Sequence, residues 1–230
     1  MNIKKVYSAK DGYNMIAEYY DDWKWQKFWK KNEFPIIKHW ANNLKIGKGL
    51  DAGTGSGNNL EVFLNIGHEV TALDISKAML EICKTKYPTF ISNGKLDCLE
   101  LDLLNLLSCR HSFDWITCNR VLSNIKDIEF VFRVFSTVIK DNGECLISDV
   151  HPLHEYENTN IVVNSKRVNI ETYKHSMTKI NQLILKNNFE IIDYKEFCFS
   201  DLKNENNLIE FEYLGDQKTP IFFYYILRKK

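Results

Sequence analysis

Four glycines lie within the nine residues 49–57, GLDAGTGSG, directly after an apolar lead-in. Glycine costs backbone entropy and adds no packing, so this density predicts that another group comes close to the backbone here. Asp74 ends the apolar segment VTALD, 21 residues after Gly53. In nucleotide-binding sheets, an acidic residue at about this distance accepts hydrogen bonds from ribose hydroxyls. Together these features predict a ligand that contains a nucleoside.

The same segment disfavours a dinucleotide. The dinucleotide fingerprint G-x-G-x-x-G requires its third glycine where this chain has Asn58. Asp51, at the end of the first predicted strand, would repel a pyrophosphate but would attract a cationic amino-acid group or a sulfonium. The charges therefore favour S-adenosylmethionine over NAD.

Strand and helix patterns alternate around these residues and predict an α/β fold. Short apolar strands and helices alternate over residues 48–150, which predicts a parallel sheet with right-handed crossovers. The later segments FEIIDYKEFCF and KTPIFFYYILRKK are two strands with no helical pattern between them, so they should pair antiparallel. Two cap helices are predicted, over residues 11–31 and 34–44, the second with Pro35 in its first turn.

Composition limits the classes of partner. Lys plus Arg and Asp plus Glu each number 30 in 230 residues, so no net charge draws the chain to nucleic acid or to an anionic membrane. The apolar run IFFYYIL is too short to cross a bilayer, and the first residues lack the apolar core of a signal peptide. The six cysteines include no C-x-x-C pair, which predicts reduced thiols in a cytoplasmic protein.

With these features in register, most of the chain resembles a class I S-adenosylmethionine-dependent methyltransferase of the small-molecule (methyltransferase type 11/25-like) group. GLDAGTGSG, VTALDIS, LELDLLNL and FDWITCNRVLSNIKD are similar to that family's first four motifs, and VFSTVIKDNGECLISDVHP is similar to the segment after them. The resemblance implies a Rossmann-like, doubly wound seven-stranded sheet of order 3-2-1-4-5-7-6, with strand 7 antiparallel and an N-terminal helical cap.

The resemblance also implies how single residues bind S-adenosyl-L-methionine and the product S-adenosyl-L-homocysteine. Asp51 would hold the methionine amino group, Asp74 the ribose and Asp102 the adenine amine, with the residues after Asp74 and Asp102 packed against the ring. Asn119 would lie near the methionine part. The predicted cofactor-binding residues are Tyr20, Asp51, Gly53, Thr54, Gly55, Asp74, Ile75, Met79, Asp102, Leu103 and Asn119.

Aromatic side chains of the cap are candidates for contact with the acceptor. DGYNMIAEYYDDW is similar to a lid pattern of the family, in which Tyr13 and Tyr20 would contact the cofactor or the acceptor. The alternative is that these tyrosines pack the cap helix down. Trp25, with Trp23 and Trp29, could line an apolar or cationic acceptor pocket, although large aromatics also dominate cores.

Four residues after strands four and five complete the predicted acceptor site. Ser123 and Asn124 stand where related enzymes often carry a histidine pair. His151 and His175 lie in segments similar to those that flank the substrate site in one branch of the family. Both are predicted to contact the acceptor or to remove its proton, because histidine titrates near neutrality. The alternatives are that His151 caps the turn at Pro152 and that His175 only neighbours a helix cap.

No metal site is predicted. Asp149, His151 and His154 could be drawn as a cluster, but solvated loop residues are the better interpretation when no outer-shell partner is indicated.

The favoured function is methyl transfer to an N or O atom of a small-molecule acceptor by in-line displacement, which requires alignment but no obligatory base. A single domain is predicted, with cap helices in 1–45, a cofactor-binding core in 46–150, a substrate-side insertion in 151–175, and a helix with the C-terminal hairpin in 176–230. The alternatives are a methyltransferase for protein, peptide or RNA, and a non-catalytic cofactor-binding partner subunit. A monomer or a homodimer is expected.

Overall fold

The computed structural model describes residues 5–108, 112–203, 216 and 218–230, so Cys109 lies outside the described residues. Two short 3-10 helices, Leu103–Ser108 and Leu122–Asn124, occur in addition to the strands and α-helices given below. Within these ranges, no helix has the length and apolarity needed to cross a membrane. The strands are β1 (Val6–Tyr7), β2 (Lys48–Ala52), β3 (Glu69–Asp74), β4 (Leu96–Glu100), β5 (Phe113–Asn119), β6 (Ile139–Val150), β7 (Thr159–Val163), β8 (Lys166–Ile170), β9 (Phe189–Cys198) and β10 (Pro220–Lys229). The helices are α1 (Ala9–Tyr20), α2 (Lys24–Asn32), α3 (Phe34–Asn43), α4 (Leu60–Ile66), α5 (Lys77–Lys86), α6 (Pro88–Ser92), α7 (Ile128–Val138), α8 (Met177–Lys186) and α9 (Phe199–Lys203).

Seven of the strands form one sheet, in the order β4-β3-β2-β5-β6-β10-β9. The strands from β4 to β6 are parallel, whereas β10 runs antiparallel to both of its neighbours. When these seven strands alone are numbered along the chain, their order is 3-2-1-4-5-7-6. The predicted α/β class is confirmed. One difference is that the short helix α9 follows β9, in a connection where the sequence pattern indicates no helix.

Helices cover both faces of this sheet. Successive side chains of a strand point to opposite faces, and two neighbouring residues of β5 show it. Ile116 packs in a core with Phe132 of α7 and Ile184 of α8, whereas Trp115 packs in a second core with Trp40 of α3. Since the faces are filled, the carboxyl ends of the parallel strands are the place where this architecture holds ligands.

The predicted single helix over residues 11–31 is wrong: the chain forms two helices there, with a break at residues 21–23. The Asp21 carboxylate accepts hydrogen bonds from Ser56 at 2.6 Å and from Asn58 at 2.9 Å, and pairs with Lys86 at 2.6 Å. These bonds attach the end of α1 to the glycine-rich turn and redirect the chain. The second predicted cap helix begins at Phe34 with Pro35 in its first turn and ends at Asn43.

Two distant segments of the chain form one cap. The insertion over residues 151–175 contains the hairpin of β7 and β8, which the sequence pattern does not indicate, and β1 pairs with β8 to give a three-stranded sheet. Helix α1 lies on this small sheet, so that Ile16 packs with Ile161 and Ile170 in a separate core. We refer to β1, α1, β7 and β8 as the composite cap.

The central strands are tightly packed around Gly49. A Cβ atom at this position would lie 2.0 Å from the Trp115 indole, which stacks on Phe63 at 4.3 Å. We therefore expect Gly49→Ala to lower the free energy of unfolding by about 3 kcal/mol, the upper end for overpacking, as measured by urea denaturation. In a Trp115→Phe background, which lacks the contacted atoms, the same change should cost less. Equal costs in both backgrounds would contradict this packing argument.

Candidate functional site

A cavity of about 300 Å³ opens where β2, β3 and β5 end. Its walls come from the glycine-rich turn after β2, the turns after β3 and β5, and helix α1. All eleven of the residues predicted to bind the cofactor line this cavity: Tyr20, Asp51, Gly53, Thr54, Gly55, Asp74, Ile75, Met79, Asp102, Leu103 and Asn119. Side chains that are up to 99 positions apart in sequence are thus brought to one place.

The glycines of the turn serve different needs. Gly53 has a φ of +78°, and a Cβ atom there would lie 2.3 Å from Cγ2 of Val121 in the turn after β5. Gly55 has a φ of +57°, and the nearest atom to an added Cβ is 3.9 Å away, on Tyr20. Both conformations disfavour other residues. Gly53 therefore lets two turns approach each other, whereas Gly55 leaves space below the Tyr20 ring.

Asp51 is a buried carboxyl group on the cavity wall. Its side chain accepts a hydrogen bond from Thr54 Oγ1 at 2.7 Å. Burial raises the pKa of Asp51 to about 7, the Thr54 hydrogen bond opposes this rise, and the nearby charges of Asp74 and Arg120 act in opposite directions. A cationic group placed in the cavity would favour the ionised form.

Asp74 fixes the turns on both sides of it. Its two oxygens accept backbone hydrogen bonds from Gly55 at 2.7 Å and from Ser76 at 2.8 Å. Burial raises the pKa of Asp74 although these two bonds oppose the rise. A carboxylate offers about four acceptor positions, so this group can also accept hydrogen bonds from two vicinal hydroxyls of a ligand.

The far side of the cavity combines apolar side chains with one more carboxylate. Ile75, Met79 and Leu103 line it. Asp102 accepts a hydrogen bond from the backbone of Leu104 at 2.9 Å. The arrangement suits a flat ring that is held between apolar side chains and carries a donor at its edge.

Asn119 belongs to a chain of buried hydrogen bonds. Thr117 donates to Asn119 Oδ1 at 2.7 Å, and Asn119 Nδ2 donates to Ser148 Oγ at 2.7 Å. Ser148 in turn donates to the carboxylate of Glu33, also at 2.7 Å. This chain of hydrogen bonds connects the cavity wall with Glu33, the residue directly before α3, so the amide group of Asn119 has one fixed orientation.

A second cavity of about 100 Å³ lies beside the first. Four residues line both cavities: Tyr13, Tyr20, Arg120 and Asn124. Of the predicted substrate-binding residues, Tyr13, Trp25, Ser123 and Asn124 line the second cavity. Its remaining walls are Trp23, Trp29, Val150, His154, Tyr156, Asn158, Thr159, Asn160 and Ile221. The second cavity is therefore rich in aromatic side chains and closed on one side by the composite cap.

The structure does not bring His175 to either cavity. Its Nε2 atom lies 2.8 Å from the carbonyl oxygen of Ile125 and 3.2 Å from that of Leu122. Burial lowers the pKa of His175, which favours the neutral ring. A neutral ring that donates from Nε2 holds the turn after β5 in place, and the predicted role of His175 in catalysis stays a prediction.

His151 is also separated from both cavities. Its Nδ1 atom accepts a hydrogen bond from the backbone of Leu153 at 3.2 Å, and its Nε2 atom lies 3.5 Å from Glu196. The ring packs against Phe223. The hydrogen bond from Leu153 agrees with the alternative considered from the sequence, that His151 caps the turn at Pro152, and its catalytic role stays a prediction.

The sequence pattern missed two polar residues of the site. Arg120 follows Asn119, but no spacing rule singles it out, and it lines both cavities. Tyr156 lies in the insertion, where the pattern indicates neither strand nor helix.

Asp149 accepts a hydrogen bond from the backbone of Ser123 at 2.8 Å, and burial raises its pKa to about 6. Among the described residues, no three His, Cys, Asp or Glu side chains are placed to hold a metal ion.

Parts of this chain are similar in sequence to known proteins. A ubiquinone biosynthesis O-methyltransferase from Coxiella burnetii is 26% identical over 102 residues, which are 44% of this chain and 43% of that protein. A demethylmenaquinone methyltransferase from Paenarthrobacter aurescens is 30% identical over 115 residues, 49% of this chain and 43% of that protein. The matched region thus spans less than half the length of these curated relatives.

The fold and the central segment point to one family. An S-adenosylmethionine-dependent methyltransferase from Clostridium acetobutylicum superposes with a TM-score of 0.67 at 21% identity, covering 94% of this chain and 98% of that one. Residues 50–147 match the family model of the methyltransferase domain. Residues 50–147 are thus similar to a methyltransferase domain, and the chain as a whole has the fold of an S-adenosylmethionine-dependent methyltransferase.

Proposed function

We propose that this protein transfers a methyl group from S-adenosylmethionine to an N or O atom of a small molecule. One observation carries the proposal: the cavity lined by the predicted cofactor residues meets a second, aromatic cavity at Tyr13, Tyr20, Arg120 and Asn124. Methyl transfer requires a donor and an acceptor that face each other across such a junction.

The carboxyl groups that line the first cavity match the polar groups of the methyl donor. Asp51 would bind the methionine ammonium group, Asp74 the ribose hydroxyls and Asp102 the adenine amine. When bound, S-adenosylmethionine supplies an electrophilic methyl group on a sulfonium sulfur, and the thioether that leaves on methyl transfer is a good leaving group. The electron-rich faces of Tyr13 and Tyr20, which meet edge to face at 6.0 Å, favour a cation at the junction.

The second cavity would orient the acceptor. Tryptophan and tyrosine rings can hold a flat apolar body, while Ser123, Asn124 and Tyr156 can bind its polar atoms. Because no imidazole that is predicted to act as a base reaches the junction, the protein would act mainly by alignment and by excluding water. The names of two relatives, which refer to ubiquinone and demethylmenaquinone, agree with a flat acceptor.

The size of the second cavity bears on the alternatives. A space of about 100 Å³ between the cap and the sheet edge favours a small molecule over a protein or RNA segment. A non-catalytic cofactor-binding subunit would have the same first cavity. Turnover with a panel of small phenols, amines and carboxylates, followed by the release of S-adenosylhomocysteine, separates that alternative from an enzyme.

Asp74→Asn should weaken the binding of S-adenosylhomocysteine at least tenfold, because charge-assisted hydrogen bonds to the ribose would be lost. Isothermal titration calorimetry measures the change. The matched control is Asp97→Asn, which alters an exposed carboxylate on β4 and should leave affinity unchanged. Binding of NADH with no binding of S-adenosylhomocysteine would contradict the proposal.

Cofactor affinity should depend on pH through Asp51. The pKa of Asp51 is raised to about 7 in the ligand-free protein, and a ligand cation binds only the ionised form well. Below pH 7 affinity should therefore fall by up to about tenfold per pH unit, with proton release on binding. Calorimetry at pH 6 and pH 8, in buffers of different ionisation enthalpy, measures both effects. Asp51→Asn should bind weakly and without this proton release, and an unchanged release in that variant would exclude Asp51 as its source.

Trp25 separates acceptor binding from cofactor binding, since it lines only the second cavity. With any acceptor found in the panel, Trp25→Ala should raise the acceptor KM about tenfold or more and leave the Kd of S-adenosylhomocysteine unchanged. Trp40→Phe is a control for loss of an indole, because Trp40 packs in a core with Trp115 and lines neither cavity. A parallel loss of both affinities in Trp25→Ala would show a structural role instead.

A further inference from the structure

Arg120 lines both cavities, and its guanidinium group is largely buried. Its Cζ atom lies 5.3 Å from the centre of the Trp29 ring, and its Nε atom lies 3.1 Å from Oε2 of Glu33. The Arg120 side chain is 16% exposed and that of Glu33 only 3%. A buried cation of this kind requires an anionic partner, and Glu33 supplies one.

The contacts with protein leave donors of Arg120 unused. Neither Nε nor Nη1 makes a hydrogen bond within the described part of the chain, although both atoms are buried. The Nε contact with Glu33 is thus an ion pair without good hydrogen-bond geometry, and the other oxygen of Glu33 accepts from Ser148. Buried donors without acceptors are costly in a folded protein. A planar guanidinium with free donors is suited to a carboxylate.

The backbone at Arg120 indicates that its position is enforced. Arg120 has a φ of +60°, in the left-handed region that residues with a side chain disfavour, and its N–H donates to Ser148 at 2.7 Å. The neighbouring Val121 packs on Gly53. Such strained residues persist where surrounding contacts fix them, and they concentrate at functional sites. An ion pair with Glu33 does not by itself require a positive φ at Arg120.

We propose that Arg120 binds a ligand carboxylate at the junction of the two cavities. This inference rests on the proposed function and adds a specificity-determining residue to it. Two ligands can bring that carboxylate: the methionine part of the cofactor, whose ammonium group would lie at Asp51, or the acceptor in the second cavity. Arg120 lines both cavities, and its charge is near enough to Asp51 to act on it.

The first arm of the test removes the carboxylate from the cofactor. Calorimetry compares S-adenosylhomocysteine with S-adenosyl-3-thiopropylamine, its decarboxylated analogue, in the wild type and in Arg120→Gln. If the cofactor supplies the carboxylate, the wild type binds S-adenosylhomocysteine about 10- to 100-fold more tightly than the analogue. Arg120→Gln then loses this preference, because its affinity falls for S-adenosylhomocysteine only.

The second arm removes the carboxylate from an acceptor-sized probe. Benzoate and benzamide are titrated into the protein, both free and saturated with S-adenosylhomocysteine, and the tryptophan emission is followed, since Trp23, Trp25 and Trp29 line the second cavity. If the acceptor supplies the carboxylate, the wild type prefers benzoate at least tenfold and Arg120→Gln shows no preference.

A double variant controls for the charge of Glu33. In Arg120→Gln, the carboxylate of Glu33 is left without its cationic partner and would itself repel a ligand carboxylate. Glu33→Gln/Arg120→Gln removes both charges, and circular dichroism checks that both variants remain folded. The proposal requires that this double variant also lacks the carboxylate preference.

Three results separate the possible failures. If neither arm shows a carboxylate preference that depends on Arg120, or if the double variant regains the preference, the role of Arg120 is refuted. If the wild type binds S-adenosylhomocysteine but not through Arg120, the proposed function stands without this inference. If the wild type binds neither adenosyl ligand, the proposed function fails, and the benzoate arm with the free protein still decides on Arg120.

Discussion

The close approach of backbone and side chains around the glycine-rich turn is the constraint on which the site depends. Gly53 lets the turn after β5 pack against it, the Gly55 N–H binds Asp74, and Ser56 with Asn58 holds the end of α1 through Asp21. The turn thus fixes the position of strand ends, of the neighbouring loop and of the cap together. A change in its backbone would move all three, whereas a change in any one wall would leave the others in place.

Local patterns were sufficient to predict the sheet and the first cavity. Strand and helix periods are set by short-range chemistry, and the carboxyl ends of parallel strands must meet at one edge. For that reason Asp51 and Asp74 could be expected together although they are far apart in the chain, and the resemblance to the family added Asn119. The break after Tyr20 could not be predicted, because it depends on hydrogen bonds between Asp21 and residues 35 and 37 positions away. The backbone partners of the His151 and His175 rings could not be predicted either, because no spacing indicates them, and the catalytic roles of these two residues stay predictions.

The ligand-free site contains buried carboxyl groups that are costly to ionise. Burial raises the pKa values of Asp51, Asp74 and Asp149, whereas the guanidinium of Arg120 is already paired with Glu33. For Asp51, the unfolded chain has a pKa near 3.9 and the folded protein one of about 7, so the folded state loses stability as pH rises between these values. A bound cation would offset this loss. Binding specificity and the cost of the ligand-free fold therefore have the same physical origin.

The composite cap has a consequence for how such proteins diverge. Strand β1 and the hairpin of β7 and β8 are more than 150 residues apart in the chain, yet they share one small sheet and one core with α1. If only the insertion after β6 were replaced by that of another protein, the new hairpin would have to pair with β1 and pack on α1, whose residues are fitted to β7 and β8. The two segments therefore depend on each other for packing, and a cap from another protein should fold on this sheet only when both segments are exchanged together.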